Sequence, residues 1–175
     1  MAVGLKYIDE TDKCYGITGM VVAMMVWEND SMLTSMSLDA DDNENIVFSH
    51  EFFVEGNPRI SPKYTWNKIV EHYKIIMQML VSNVMCRHCV LHNKPITPQL
   101  KQLIYRHLEE EGCNNCSLEK DEVKELFEQY YSSSQRLFSH AGVQQVVNQF
   151  ASTVQSSRNL SREQILHHLQ ALNRL

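Results

Sequence analysis

The chain has 175 residues and a formal net charge of −5, with 43% hydrophobic and 21% charged residues, as in an ordinary globular protein. This length suits one domain, and six glycines and four prolines exclude collagen-like and low-complexity classes. The charge is uneven, because the first 60 residues carry three basic and eleven acidic side chains, and all nine methionines lie at or before Met85. We therefore distinguish an acidic, Met-rich N-terminal subregion, 1–60, from residues 61–175, and we expect one compact domain overall.

The N-terminal subregion contains three apolar runs of strand length, at 18–27, 31–39 and 45–54, separated by acidic, turn-rich segments. This pattern favours a small antiparallel β-meander. The Met and Ala content equally permits an extra helix from about residue 20 to 36, because periodicity does not separate strand from helix in short apolar runs.

The longest apolar run, 19–27, is shorter than the roughly 20 residues that a membrane-spanning helix needs. Four of the five cysteines occur in close pairs, which is more typical of a reducing compartment than of a secreted disulfide framework. We therefore expect a cytoplasmic protein without membrane association.

Residues 61–175 predict a bundle of about five amphipathic helices, because apolar residues recur at steps of three and four along them. Gly112 is a plausible stop for the second helix. The last helix begins with a capping box, in which a serine and a glutamine cap each other's backbone. The predicted helix starts are Ser61-Pro62, Thr97-Pro98, Ser117, Ser139 and Ser161 with Gln164.

Two CxxC pairs, Cys86 with Cys89 and Cys113 with Cys116, give the sharpest chemical hypothesis. Four thiolates in paired CxxC motifs are a usual ligand set for tetrahedral Zn²⁺. Against zinc, the first pair continues an apolar helix, and a predicted helix of about 21 Å separates the two pairs. The pairs meet only if the loop 90–96 doubles back.

Two other interpretations of the cysteines stay open. In the first, Cys86 and Cys89 are small buried apolar residues near a helix end, and Cys113 and Cys116 lie on a loop. In the second, the protein is a thiol-redox protein. The second pair is then the better redox candidate, because it precedes a helix whose N-terminal dipole lowers a thiol pKa.

The sequence gives less support to calcium binding and to nucleic-acid binding. An EF-hand alignment that starts at Asp39 places Glu44 where glycine is required and His50 where the bidentate glutamate is required. The span 136–175 is mildly basic and outlines two helices, but arginines are sparse for reading DNA bases. Its arginines are Arg136, Arg158, Arg162 and Arg174.

No P-loop, GxGxxG, GxSxG or HExxH motif occurs. We therefore expect a non-catalytic interaction or accessory protein without a cofactor, which binds a protein partner or itself. Surplus aromatic residues (Tyr64, Tyr131, Phe52 and Phe53) are candidates for that surface. The alternative is a zinc-stabilised regulatory module that binds nucleic acid through its C-terminal helices.

Overall fold

The computed structural model of the protein describes residues 5–42, 44–52 and 62–174. These residues form six α-helices and one three-stranded antiparallel sheet, which confirms the mainly α fold with a helical bundle and a small N-terminal subregion. The helices are α1 (Glu10–Val26), α2 (Pro62–Met85), α3 (Pro98–Asn115), α4 (Lys120–Ser139), α5 (Ala141–Ser157) and α6 (Arg162–Leu169). The strands are β1 (Leu33–Ser37), β2 (Ile46–Phe48) and β3 (Asn159–Ser161).

The N-terminal subregion combines the two structures that its sequence permitted. The prediction of a strand at 18–27 is wrong, because α1 covers most of this run. The following two runs do contain strands, β1 and β2, although residues 53–54 lie outside the described residues. The helix begins much earlier than residue 20, since Asp9 caps it by accepting a hydrogen bond of 2.8 Å from the Asp12 N–H.

Helix α1 is the central helix of the fold and packs against both α2 and α5. Its side chains are buried around most of its circumference from Cys14 to Met24. A helix that is apolar on all sides is a core helix and shows no stripe for a pattern to detect. The physical reason for the wrong strand prediction is therefore the burial of α1 on most of its sides.

Two glycines of α1 allow α2 to approach closely. A Cβ atom on Gly16 would lie 2.8 Å from the Asn83 side chain, and one on Gly19 would lie 2.5 Å from the Ser82 carbonyl oxygen. Contacts this short leave no space for a side chain. Glycine therefore sets the spacing between the first and second helices.

The sheet has the order β2–β1–β3, with β1 in the centre. Met36 of β1 pairs with Ile46 of β2 on one side and with Leu160 of β3 on the other. All three side chains are buried. The sheet therefore joins the N-terminal subregion to the end of the helical bundle.

Arg158 reinforces this junction. It ends α5 with φ +60°, a conformation that is strained for a residue with a side chain. Its carbonyl oxygen accepts a hydrogen bond of 2.7 Å from the Leu38 N–H, and its guanidinium binds the carboxylates of Glu10 and Asp39. These contacts hold the unusual backbone conformation in place.

Two of the predicted helix caps are confirmed. Thr97 accepts a hydrogen bond from the Leu100 N–H at 3.2 Å, and Ser161 forms the expected capping box with Gln164. Ser61 lies outside the described residues. Two other caps are wrong, because Glu119 caps α4 instead of Ser117, and Ser139 is the last residue of α4.

The predicted helix stop at Gly112 is also wrong, because α3 continues to Asn115. Gly112 lies where α3 crosses α2, and a Cβ atom there would lie 2.6 Å from the Tyr73 hydroxyl oxygen. That hydroxyl donates a hydrogen bond of 2.7 Å to the Leu108 carbonyl oxygen. The left-handed residue after the helix is instead Ser117, with φ +54°.

Within the described ranges, no helix is both long and apolar enough to cross a lipid bilayer.

The close approach at Gly19 predicts that adding a side chain at this position destabilises the fold. We expect Gly19→Ala to lower the free energy of unfolding by about 1–3 kcal/mol, because its Cβ would clash with backbone, which does not move cheaply. The higher helix propensity of alanine, about 1 kcal/mol, offsets only part of this loss. Urea unfolding followed by circular dichroism measures the change, and an equal or higher stability would contradict the packing described.

Candidate functional site

The first cysteine pair lies on a π-helical turn, Cys86–Leu91, which directly continues α2. Cys86 is fully buried, and its Cβ atom faces Gly19 of α1. Cys89 is half-buried, and its thiol donates to the Met85 sulfur at 3.6 Å. The pair therefore closes a helix, as the sequence indicated, and it packs into the region between α1 and α2.

The second pair ends α3 instead of lying on a loop, and α4 begins only at Lys120. Cys113 belongs to the last turn of α3, and Cys116 is its C-terminal cap. The partial negative charge at a helix C-terminus disfavours a thiolate. The placement therefore does not support a lowered thiol pKa for this pair, and a thiol-redox function stays a prediction.

The structure does not gather the four cysteines into one metal-binding group. Among the described residues, no group of three or more His, Cys, Asp or Glu side chains is arranged to hold a metal ion. Zinc binding by Cys86, Cys89, Cys113 and Cys116 thus stays a prediction without geometric support, and elemental analysis of the purified protein tests it directly.

Burial dominates the chemistry of the thiols. It raises the pKa of Cys14 to about 11, and it raises that of Cys86 well above its ordinary value. The pKa values of Cys89 and Cys116 are also raised, again chiefly by burial. A thiol with a raised pKa is a poor nucleophile near neutral pH, which is the behaviour of packing residues.

Arg87, one of the two residues between Cys86 and Cys89, is more informative than the cysteines themselves. Arg87 is only 2% exposed and forms an ion pair with Asp12, which is 1% exposed. The guanidinium contacts both carboxylate oxygens, with Nε donating to Oδ1 at 2.8 Å and Nη2 donating to Oδ2. This two-point geometry is the strongest form of an arginine–carboxylate interaction.

Further polar groups surround the pair. Arg87 Nη2 donates to the Lys6 carbonyl oxygen at 2.7 Å, and the Ile8 N–H donates to Asp12 Oδ2 at 2.9 Å. The Tyr7 ring faces the guanidinium at 5.1 Å, and its hydroxyl accepts a hydrogen bond of 2.8 Å from Asn83. The network thus fastens residues 6–8 and α1 to the end of α2.

Burial alone would raise the pKa of Asp12, but hydrogen bonds from Arg87 and Ile8 and the arginine charge outweigh it, so the pKa is lowered. His92 Nε2 lies 3.6 Å from Asp12 Oδ1 at the outer edge of the network. The pKa of the nearby His88 is lowered by burial and by the Arg87 charge. Because Arg87 occupies both oxygens of Asp12, the arrangement is structural in character rather than that of a catalytic acid–base pair.

The sequence contained a signal for Arg87 that was missed. Arg87 follows Val84 by three residues and therefore continues the apolar stripe of α2. A charge on a stripe that faces the core must be paired, because an isolated buried charge is very costly. Its partner, 75 residues earlier, has no such signal.

The acidic segment after β1 is folded around a lysine. Lys13 of α1 donates to the Ala40 carbonyl oxygen at 2.6 Å and lies 3.3 Å from an Asp42 carboxylate oxygen. The buried Asn45 side chain donates to the same carbonyl at 2.9 Å. The Lys13 ammonium thus already supplies a positive charge to this loop, which agrees with the argument against calcium.

Two of the four arginines considered for nucleic-acid binding form ion pairs within the protein. Arg158 binds Glu10 and Asp39, and Arg162 binds Asp30 at 3.0 Å. Positive charge that is balanced by neighbouring carboxylates attracts phosphate weakly. Nucleic-acid binding by the C-terminal helices stays a prediction without added support.

An open groove of about 250 Å³ lies between α2 and α3. Its lining is mostly apolar and includes one carboxylate, that of Glu111. The α2 side consists of Ile69, His72, Tyr73 and Ile76, and the α3 side consists of Glu111, Asn115 and Cys116. The groove exists because α3 meets α2 closely at Gly112, whereas on the outer side of this crossing the side chains of the two helices stay apart from each other.

Trp66 lies beside Cys116, a lining residue of this groove. It is 41% exposed, and its indole N–H donates to the Cys116 carbonyl oxygen at 2.9 Å. His72, another lining residue, donates from Nδ1 to the Phe52 carbonyl oxygen at 2.8 Å, and the two rings are in contact. Of the surplus aromatics, Tyr64 is exposed, Tyr131 and Phe52 are buried, and Phe53 lies outside the described residues.

A second cavity, of about 410 Å³, lies between α3 and α4. Lys101 projects into it, forms an ion pair with Glu128 at 2.7 Å and lies over the Tyr131 ring at 4.4 Å. Lys101 and Glu128 of its lining are therefore already engaged with each other. The α2–α3 groove is the candidate functional site.

No protein-family model matches the chain, and no curated protein and no solved structure shows significant similarity to it.

The buried Asp12–Arg87 ion pair predicts that even a conservative substitution of Arg87 strongly lowers stability. We expect Arg87→Lys to lower the free energy of unfolding by about 3 kcal/mol, because lysine does not contact both carboxylate oxygens and Asp12 stays buried. Arg162→Lys is the matched control at a partly exposed pair and should cost about 0–1 kcal/mol. Urea unfolding of both variants measures this, and equal losses would contradict the role assigned to Arg87.

The burial of the thiols predicts their labelling. At pH 7.5, iodoacetamide should not modify Cys14 and Cys86 in the folded protein and should modify both in urea, because both are fully buried and have raised pKa values. Peptide mass spectrometry identifies each labelled residue. Modification of Cys86 in the folded protein at the rate of a free thiol would show that the first pair is accessible to redox chemistry.

Proposed function

We propose that the protein is a non-catalytic interaction protein, and that the α2–α3 groove holds a segment of a protein partner. The observation that carries the proposal is the groove itself, an open and mostly apolar cleft, and a half-exposed tryptophan is hydrogen-bonded to Cys116 of its lining. Tryptophan is among the residues that contribute most to binding at protein interfaces.

The size of the groove supports a protein segment as ligand. Its volume of about 250 Å³ is below the roughly 300–1,000 Å³ of pockets that enclose small molecules, and it is open along one side. One or two apolar side chains of a longer segment fit such a cleft, while the rest of the segment lies on the neighbouring surface.

The chemistry of the lining supports binding rather than turnover. The thiol that lines the groove, Cys116, has a pKa raised by burial and by the charge of Glu111. The Tyr73 hydroxyl is engaged with the Leu108 carbonyl oxygen. These two groups are therefore poor nucleophiles, and His72 is engaged with the Phe52 carbonyl oxygen.

A peptide library tests this proposal. A phage-displayed library of 12-residue peptides is selected on the wild-type protein, and enriched peptides are measured by fluorescence anisotropy. We expect Ile69→Glu to weaken their binding at least about tenfold, because it places a charge in the apolar cleft.

Val47→Glu is the matched control, since Val47 is 46% exposed on β2, outside the groove lining, and the change adds the same charge. This variant should bind like wild type, and thermal melting verifies that both variants are folded. Equal binding by Ile69→Glu and wild type, or a selection that enriches no peptide, would overturn the proposed function.

A further inference from the structure

Three consecutive glutamates near the end of α3 have different surroundings. Glu109 accepts a hydrogen bond of 2.9 Å from the Tyr105 hydroxyl and lies 4.0 Å from the Lys120 ammonium. Glu110 is exposed to solvent. Glu111 is half-buried and lines the α2–α3 groove.

Glu111 has no counter-ion among the described residues. It makes no hydrogen bond or ion pair with another side chain in the part of the chain that the structure describes. Around it the groove presents apolar or neutral groups, among them Ile69, Ile76 and Asn115. Burial is the largest cause of the raised pKa of Cys116, and the charge of Glu111 is the next. The Glu111 carboxylate therefore acts electrostatically within the groove.

Two cationic or titratable side chains of α2 are engaged by other groups. Lys68, on the first half of α2, lies 3.4 Å from a Glu71 carboxylate oxygen and over the Tyr64 ring at 5.8 Å. His72, which lines the groove, donates to the Phe52 carbonyl oxygen. Glu111 is the one carboxylate among the described lining residues, and it gives the groove a negative charge.

We propose that the groove binds a basic amphipathic segment of a protein partner, with an apolar side chain between Ile69 and Ile76 and an adjacent lysine or arginine paired with Glu111. This inference rests on the proposed function and names the chemistry of its ligand. The apolar lining provides the contact area, and the carboxylate provides charge complementarity.

The physical reason is the effect of docking on Glu111. A segment that covers the groove removes water from this carboxylate. A neutral segment leaves it desolvated without compensation, and an acidic segment adds repulsion, whereas a cation next to the apolar anchor restores a partner. Glu111 thus selects against neutral and acidic segments as well as in favour of basic ones.

The experiment uses the peptides enriched on wild type in the library selection. Each peptide is synthesised with its basic residue intact, replaced by glutamine, or replaced by glutamate, and binding is measured by anisotropy. The protein variants are Glu111→Gln, Glu111→Lys and, as the matched control, Glu110→Gln on the exposed neighbour.

We expect the enriched peptides to share a lysine or arginine next to an apolar residue. Glu111→Gln should weaken binding of the basic peptide about tenfold and strengthen binding of the glutamine peptide, because no desolvated charge remains, while Glu110→Gln changes neither. Glu111→Lys should bind the glutamate peptide more tightly than the basic one. Binding of the basic peptide should also weaken as salt rises.

The outcomes separate this inference from the proposed function. Peptides that lose binding to Ile69→Glu but show no preference for a basic residue overturn the inference and leave the proposed function standing. Sedimentation of the free protein tests for self-association. If the wild type self-associates and Ile69→Glu does not, the occupant of the groove is a second copy of the chain, which also overturns the inference.

Discussion

The ion pair between Asp12 and Arg87 determines how the first helix is attached to the rest of the protein. Both charges are removed from solvent, so each depends on the other, and loss of one partner leaves the other buried and unpaired. The pair also fixes the relative position of α1 and α2 along their axes, because two parallel hydrogen bonds tolerate little sliding. The glycines at 16 and 19 then bring the two helices close enough for the pair to form.

This attachment explains the position of the cysteines on either side of Arg87. The π-helical turn that carries the pair adds a residue to the regular repeat of α2, which changes the direction of the side chains that follow. Arg87 points into the interior, Cys86 packs against α1 and Cys89 faces a half-buried region. The two cysteines of this pair thus flank a buried arginine. At the end of α3, the Cys116 carbonyl oxygen accepts the hydrogen bond from Trp66 beside the groove.

The parts of the fold that could be predicted from the sequence are those with local causes. The helices from α2 onward each have an apolar stripe, and the caps at Thr97 and Ser161 act within a few residues. The sequence left strand and helix open for α1, because burial on most sides removes the contrast between its faces. The end of α3 was misplaced because Gly112 serves a contact with Tyr73 in another helix, and such a contact is invisible in a single sequence. The groove depends on the crossing of α2 and α3 at this glycine, so its lining residues carry no joint signal along the chain.

The central position of α1 has a consequence for synthesis in the cell. This helix is translated before α2 and α5, against which it packs, and before β3, which completes the sheet more than a hundred residues later. Its apolar surface therefore has no native partner while the remaining helices are being made, and the nascent chain exposes it at the ribosome. Until its neighbours are made, the chain thus carries an apolar helix of the kind that makes folding intermediates prone to aggregate.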